Sequence, residues 1–127
     1  MTWLSEYIHE DIPGSVKEQE FRLWQSLIGS PSTQSIYEVG SGKAELISYL
    51  ATKGHPCVAT EITGERGEKY SEENVTWKNS DGAHLGSFEQ SESYDVVLSD
   101  QVIEHIHPED TQDHFRGVYE ILKPNGK

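Results

Sequence analysis

Apolar residues recur along this chain at two spacings, and the switches between them mark out its elements. Phe21, Leu23, Trp24, Leu27 and Ile28 fall on one helical face. Ser15, ahead of Glu18, supplies a capping box that starts this helix, and Gly29-Ser30-Pro31 stops it. Before it, Trp3, Leu4, Tyr7 and Ile8 predict a shorter amphipathic helix, broken at Pro13-Gly14. Residues 35–39 switch to strand character, with β-branched and aromatic side chains after a polar break. Ala44, Ile47, Leu50 and Ala51 then give one face of a helix that ends at Lys53-Gly54. Residues 57–60 form the next strand, residues 64–72 a weakly periodic polar helix, and residues 75–78 a third strand. Residues 80–93 are rich in Ser, Gly, Asp and Glu and read as loop. The fourth strand, residues 94–99, is continuously apolar through Val96-Val97-Leu98, which predicts a central place in the sheet. Pro108 opens a last helix with the stripe Phe115, Val118, Tyr119 and Leu122, before a turn at Lys123-Pro124-Asn125-Gly126.

Strands that alternate with helices imply an α/β fold with a doubly wound, mostly parallel sheet and right-handed crossovers. Its ligand belongs beyond the carboxyl ends of the strands. Gly40, Glu61, Asp81 and Ser99 all stand at or just past such ends. Residues 1–34 are expected to be a helical segment packed on the domain that residues 35–127 form.

The chain has 127 residues, room for one modest core. It contains no apolar run of about 18 residues and no basic-then-apolar leader, so neither a membrane span nor a secretory signal is expected. Cys57 is the single cysteine, which precludes an internal disulfide and suits a reducing, cytoplasmic setting. Ten basic against twenty-two acidic side chains give a net charge of −12, a field that repels polyanions and argues against nucleic acid as a partner.

The stretch Glu38-Val39-Gly40-Ser41-Gly42-Lys43-Ala44-Glu45 carries the chemistry. A strand, a glycine turn and a helix make a nucleotide-type cradle, in which missing Cβ atoms admit a ligand to the backbone and the first helical N–H groups face it. A dinucleotide fingerprint needs a small residue at its sixth position, where Glu45 stands, and a P-loop needs Ser or Thr after its lysine. Acidic-x-Gly-x-Gly fits, with Ala44 where a third glycine could be. Glu61 follows Gly42 by about twenty residues, the spacing at which an acid reaches ribose hydroxyls, while Ile62 beside it can lie on a base or simply pack.

This pattern resembles the first motif of the class I S-adenosylmethionine-dependent methyltransferases. Residues 94–106, with their Glu104-His105 pair, resemble the fourth-strand motif of the small-molecule members of that family, and residues 121–126 its Leu-Lys-Pro-Gly-Gly turn. The resemblance covers residues 35–127. It implies a Rossmann-like methyltransferase domain that uses S-adenosylmethionine, releases S-adenosylhomocysteine and methylates a small molecule. It implies that Glu38, Gly40, Ser41 and Gly42 surround the methionine part of the cofactor. It further implies Glu61 on the ribose, Ile62 by the adenine, and Asp81 with Gly82 at the adenine edge, although turn chemistry alone also explains Asp-Gly. Ser99 completes this cofactor set.

His105 is the candidate general base, with His107 and Asp100 behind it; a structural hydrogen bond is the plainer role for it. RNA 2′-O-methyltransferases use a metal-binding Glu-x-x-Glu-His here, but Gln101 replaces their first acid, so no metal is expected. Two rivals stay open: a non-catalytic module that binds the cofactor within a complex, and an NAD-dependent oxidoreductase, which Glu45 opposes. Lys127 falls where a fifth strand should begin. Either the chain is part of a longer protein or a partner chain, most simply a second copy, completes the sheet edge.

Overall fold

The computed structural model of the protein describes residues 15–29, 33–42, 44–62, 74–100 and 102–127. The expected helices over residues 3–8 and 64–72, and Gln101, lie outside these residues. The chain divides into two compact units, Met1–Ser32 and Thr33–Lys127. In the first, helix α1 (Ser15–Ile28) closes on Gly29, whose φ of 89° lets its N–H reach the Gln25 carbonyl at 3.0 Å.

In the second unit, β1 (Ile36–Val39), β2 (Cys57–Glu61), β3 (Val75–Asn79) and β4 (Val96–Ser99) form one sheet, ordered β3-β2-β1-β4. Every pairing is parallel, as the alternation of elements requires. Helix α2 (Glu45–Thr52) connects β1 to β2, and helix α3 (Thr111–Ile121) follows β4. All four residues of β1 are buried. Tyr37 and Val39 join Leu85, Tyr94 and Ile121 in the core, where the Tyr37 and Tyr94 rings sit 4.9 Å apart. Each such side chain contributes about 1.5–3 kcal/mol through burial.

β1 and β4 are clasped at their start. The Ser35 N–H and hydroxyl donate to Asp95 Oδ2 at 2.8 and 3.0 Å. The Ser35 N–H, first among several contacts, holds the Asp95 carboxyl below its ordinary value. On β2, Cys57 is buried with its thiol 3.2 Å from the His55 carbonyl, and burial pushes it up to about 12.

Two expectations are corrected. β4 is an edge strand of the four rather than a central one: β1 is its sole strand partner, and backbone bonds from Val97 to Lys127 and from Lys127 to Asp95 occupy its other side. Its apolar run records the burial of one face through Val96 and Leu98, with Val97 half-buried on the other, and not its lateral position. The buried face of α3 is also rotated from the apolar stripe. His114, Gly117 and Ile121 point inward, while Phe115 and Tyr119 are 60 % and 81 % exposed. Gly117 explains the rotation, because a Cβ there would meet the Leu85 backbone nitrogen at 2.9 Å; the helix lies that close to the Leu85–Ser87 turn.

Candidate cofactor cleft

A cleft of about 270 Å³ opens at the carboxyl ends of the strands. Val39 and Gly40 supply one wall, and Glu61 and Ile62 at the end of β2 supply the next. Ser80, Asp81 and Gly82 after β3 form the third, and Val102, His105 and Ile106 after β4 the fourth.

The turn after β1 is tied to the end of β2. The Ser41 N–H donates to the Thr60 carbonyl at 2.8 Å, and the Thr60 N–H donates back to Ser41 Oγ at 3.2 Å. The Gly42 N–H donates to Glu61 Oε1 at 2.7 Å. Gly40 and Gly42 have φ of 65° and 58°, and a Cβ on Gly40 would meet Val102 Cγ2 at 3.0 Å. Ala44 shares this left-handed backbone at φ 61°, so the third-glycine position keeps the conformation and a methyl group bears the strain. Its carbonyl accepts the Ser48 N–H as α2 begins.

Behind the turn lies Glu38, 5 % exposed, with Oε1 unpaired among the described residues. Burial, reinforced by the Asp100 and Glu61 charges, pushes its carboxyl up to about 8 against opposition from Ser41. A neutral acid buried behind a glycine turn can take up a cationic group by giving up its proton.

Asp81 lines the cleft but spends its oxygens locally. Oδ1 accepts the Ala83 and His84 N–H groups at 2.9 and 2.7 Å, and Oδ2 meets His84 Nδ1 at 2.7 Å. Burial works against its charge, but these donors prevail and hold its carboxyl below the ordinary value; the Asp81 contact in turn raises His84. Ile62, 75 % exposed, offers the cleft an unpacked apolar face. His105 is open to solvent, with Nε2 3.7 Å from Glu104 Oε1.

The cleft thus brings together Gly40, Glu61, Ile62, Asp81, Gly82 and His105. Ser41, Gly42 and Glu38 support the turn instead of lining it. Ser99 is turned aside, with its hydroxyl 3.3 Å from His114 Nε2. Sequence reasoning missed Ser80, which is buried and accepts the Gly82 N–H at 3.1 Å, and the apolar wall of Val102 and Ile106. Those two apolar residues in a polar segment were the available signal. Ligand atoms of His84, Asp110 and Asp113 come within 4.8 Å of one another, close enough for a cation, but Asp81 and Asp113 already engage both His84 nitrogens.

A family model described as "Methyltransferase domain" matches residues 37–127. The chain belongs to the class I S-adenosylmethionine-dependent methyltransferases. No curated protein matches the chain. Among solved structures, coclaurine N-methyltransferase is 22 % identical with a TM-score of 0.78, covering 94 % of this chain and 37 % of its own. The glycopeptide N-methyltransferase MtfA is 18 % identical with a TM-score of 0.71, covering 85 % and 50 %. The 1,6-didemethyltoxoflavin-N1-methyltransferase of Burkholderia thailandensis, solved with S-adenosylhomocysteine, is 17 % identical with a TM-score of 0.69, covering 85 % and 48 %. At these identities the likeness is one of fold. The chain spans half or less of the length of these three proteins.

The methyltransferase family implies S-adenosylmethionine, and the residues present fit it. The unpaired Glu38 oxygen suits an ammonium group, the Gly40 and Gly42 backbone admits close approach, and the Glu61 carboxylate on the cleft wall suits hydroxyl donors.

Proposed function

We propose that the cleft holds S-adenosylmethionine and that the protein methylates a small-molecule acceptor. The observation that carries this reading is the convergence of Gly40, Glu61 and Gly82, from the ends of three strands, on one cleft backed by the buried Glu38 carboxyl. Glu61 accepts the ribose hydroxyl protons in charge-assisted bonds while its Oε1 keeps the Gly42 N–H. Ile62 and Val102 give the adenine an apolar bed, and Gly82 leaves it room. The bound cofactor supplies an electrophilic methyl group on a sulfonium. The walls contribute mainly position, which brings an acceptor into line and keeps water away. His105, at the mouth, takes the acceptor's proton at a ring nitrogen where the acceptor must lose one.

Several features support the rest of the reading. Relatives of the same fold carry small-molecule names, coclaurine and 1,6-didemethyltoxoflavin among them. The net charge of −12 disfavours nucleic acid. No helix among the described residues is long and apolar enough to cross a membrane. A single buried free thiol suits a reducing, cytoplasmic setting. The Thr33–Lys127 unit is the catalytic domain in this reading.

Calorimetry with S-adenosylhomocysteine, run beside a methyl-transfer screen over small amines, phenols and carbon acids, tests it. Binding with turnover of one acceptor class is expected. Binding without turnover would leave the non-catalytic module, and no binding would remove the reading altogether.

A further inference from the structure

His114 is 1 % exposed and lies outside the cleft, yet it bonds to the wall residue Gly82 and to Ser99 at the end of β4. Its Nδ1 is 2.6 Å from the Gly82 carbonyl, and its Nε2 is 3.3 Å from Ser99 Oγ at the end of β4. A carbonyl can only accept, so Nδ1 carries the proton; in the neutral ring Nε2 is then left to accept the Ser99 hydroxyl. The Gly82–Ala83 peptide is thereby held from both ends, its oxygen by His114 and its N–H by Asp81 Oδ1 at 2.9 Å. Gly82 has φ 75° and lines the cleft, so the direction of this peptide sets the wall that Asp81 and Gly82 present. Gly117, one turn along α3, fixes the helix at contact distance from Leu85, which prevents the imidazole from backing away.

We infer that His114 is a positioning residue, which holds the Gly82 peptide through Nδ1 so that the adenine-side wall of the cleft is formed before the cofactor arrives. The inference rests on the S-adenosylmethionine reading of the cleft. It also separates the two ring nitrogens by function: the Gly82 bond shapes the site, and the Ser99 bond anchors the ring.

Two variants separate those bonds. His114→Asn keeps a donor near the position of Nδ1, and His114→Gln keeps an amide near that of Nε2. Expected by calorimetry with S-adenosylhomocysteine is affinity within about 3-fold of the unchanged protein for His114→Asn and a loss of roughly 10-fold for His114→Gln. Thermal midpoints of the two should fall by similar amounts. Affinities that fall in step with the midpoints, or an Asn variant no better than the Gln variant, would overturn the inference and leave the cofactor reading standing. Failure of the unchanged protein to bind overturns both. A readout that needs no variant is the His114 Nδ1–H resonance in ¹⁵N-labelled protein. It should be slow to exchange and should shift when S-adenosylhomocysteine is added; an unmoved resonance under saturation counts against the inference.

Discussion

Glu61 Oε1 accepts the Gly42 N–H at 2.7 Å, so the acid at the end of β2 already grips the glycine turn at the end of β1. One carboxylate therefore serves two strands and also lines the cleft. Replacing it by alanine should weaken binding of S-adenosylhomocysteine by roughly 1.5–3 kcal/mol, about 10- to 100-fold in Kd, as loss of a charged acceptor does. Glu61→Gln keeps an acceptor for Gly42 and should fall between. Calorimetry on the three proteins decides it, and equal affinities would take Glu61 out of the site.

The buried Glu38 makes stability depend on pH in a definite direction. The unfolded chain loses this proton near the ordinary value of 4.5, the folded chain near 8. Between those values the folded state holds the extra proton, so stability contributed by the neutral acid drains away as pH rises through the window. Urea midpoints at pH 5 and pH 8.5 should show the decline, and Glu38→Gln should flatten it. A wild-type midpoint that rises across the window would contradict the burial of this acid.

Gly117 sets helix propensity against packing. Alanine at this position in α3 would gain about 1 kcal/mol of propensity in an isolated helix. Here its Cβ would fall 2.9 Å from the Leu85 nitrogen and 3.0 Å from Leu85 Cβ, and overpacking of this kind loses about 1–3 kcal/mol. Gly117→Ala should therefore destabilise the protein in denaturant titration, by up to about 2 kcal/mol. A stabilised variant would mean that α3 stands further from the turn.

Asp95 offers a fourth test. Asp95→Ala leaves the Ser35 N–H without its acceptor and the hydroxyl with only the Ser93 carbonyl at 3.4 Å, and should destabilise by roughly 1–2 kcal/mol, read as a lowered urea midpoint. Because the native carboxyl lies below its ordinary value, its contribution is present above that value and is lost as pH falls through the folded one. The difference between wild type and variant should accordingly shrink in strong acid.

The sequence made the strand starts and glycine turns legible because each rests on local chemistry. Ile36, Cys57 and Val75 begin strands within a residue of where the apolar runs begin, and Gly29 and Gly54 take the positive φ their places demand. Asn125 does the same in the turn that substitutes for a glycine pair. What stayed illegible depends on partners distant in sequence. The lateral place of β4 is fixed by pairing with β1, sixty residues earlier, and hydropathy cannot report that. The inward face of α3 is chosen by a glycine and a histidine, which an apolar stripe passes over. Ser99 stands at the predicted strand end, but a side chain on the next helix turns its hydroxyl away from the cleft. The place of Glu61 on the cleft wall was legible because its spacing from the glycines brings the end of β2 beside their turn.

Cys57 lends the molecule its own unfolding reporter. A thiol buried at 3 % exposure and pushed up to about 12 will ignore alkylating dyes while β2 stays between β1 and β3. Since the chain has no other cysteine, every labelled molecule marks one opening of the sheet's centre, and the labelling rate with and without ligand measures how firmly the cleft's occupant holds the strands shut.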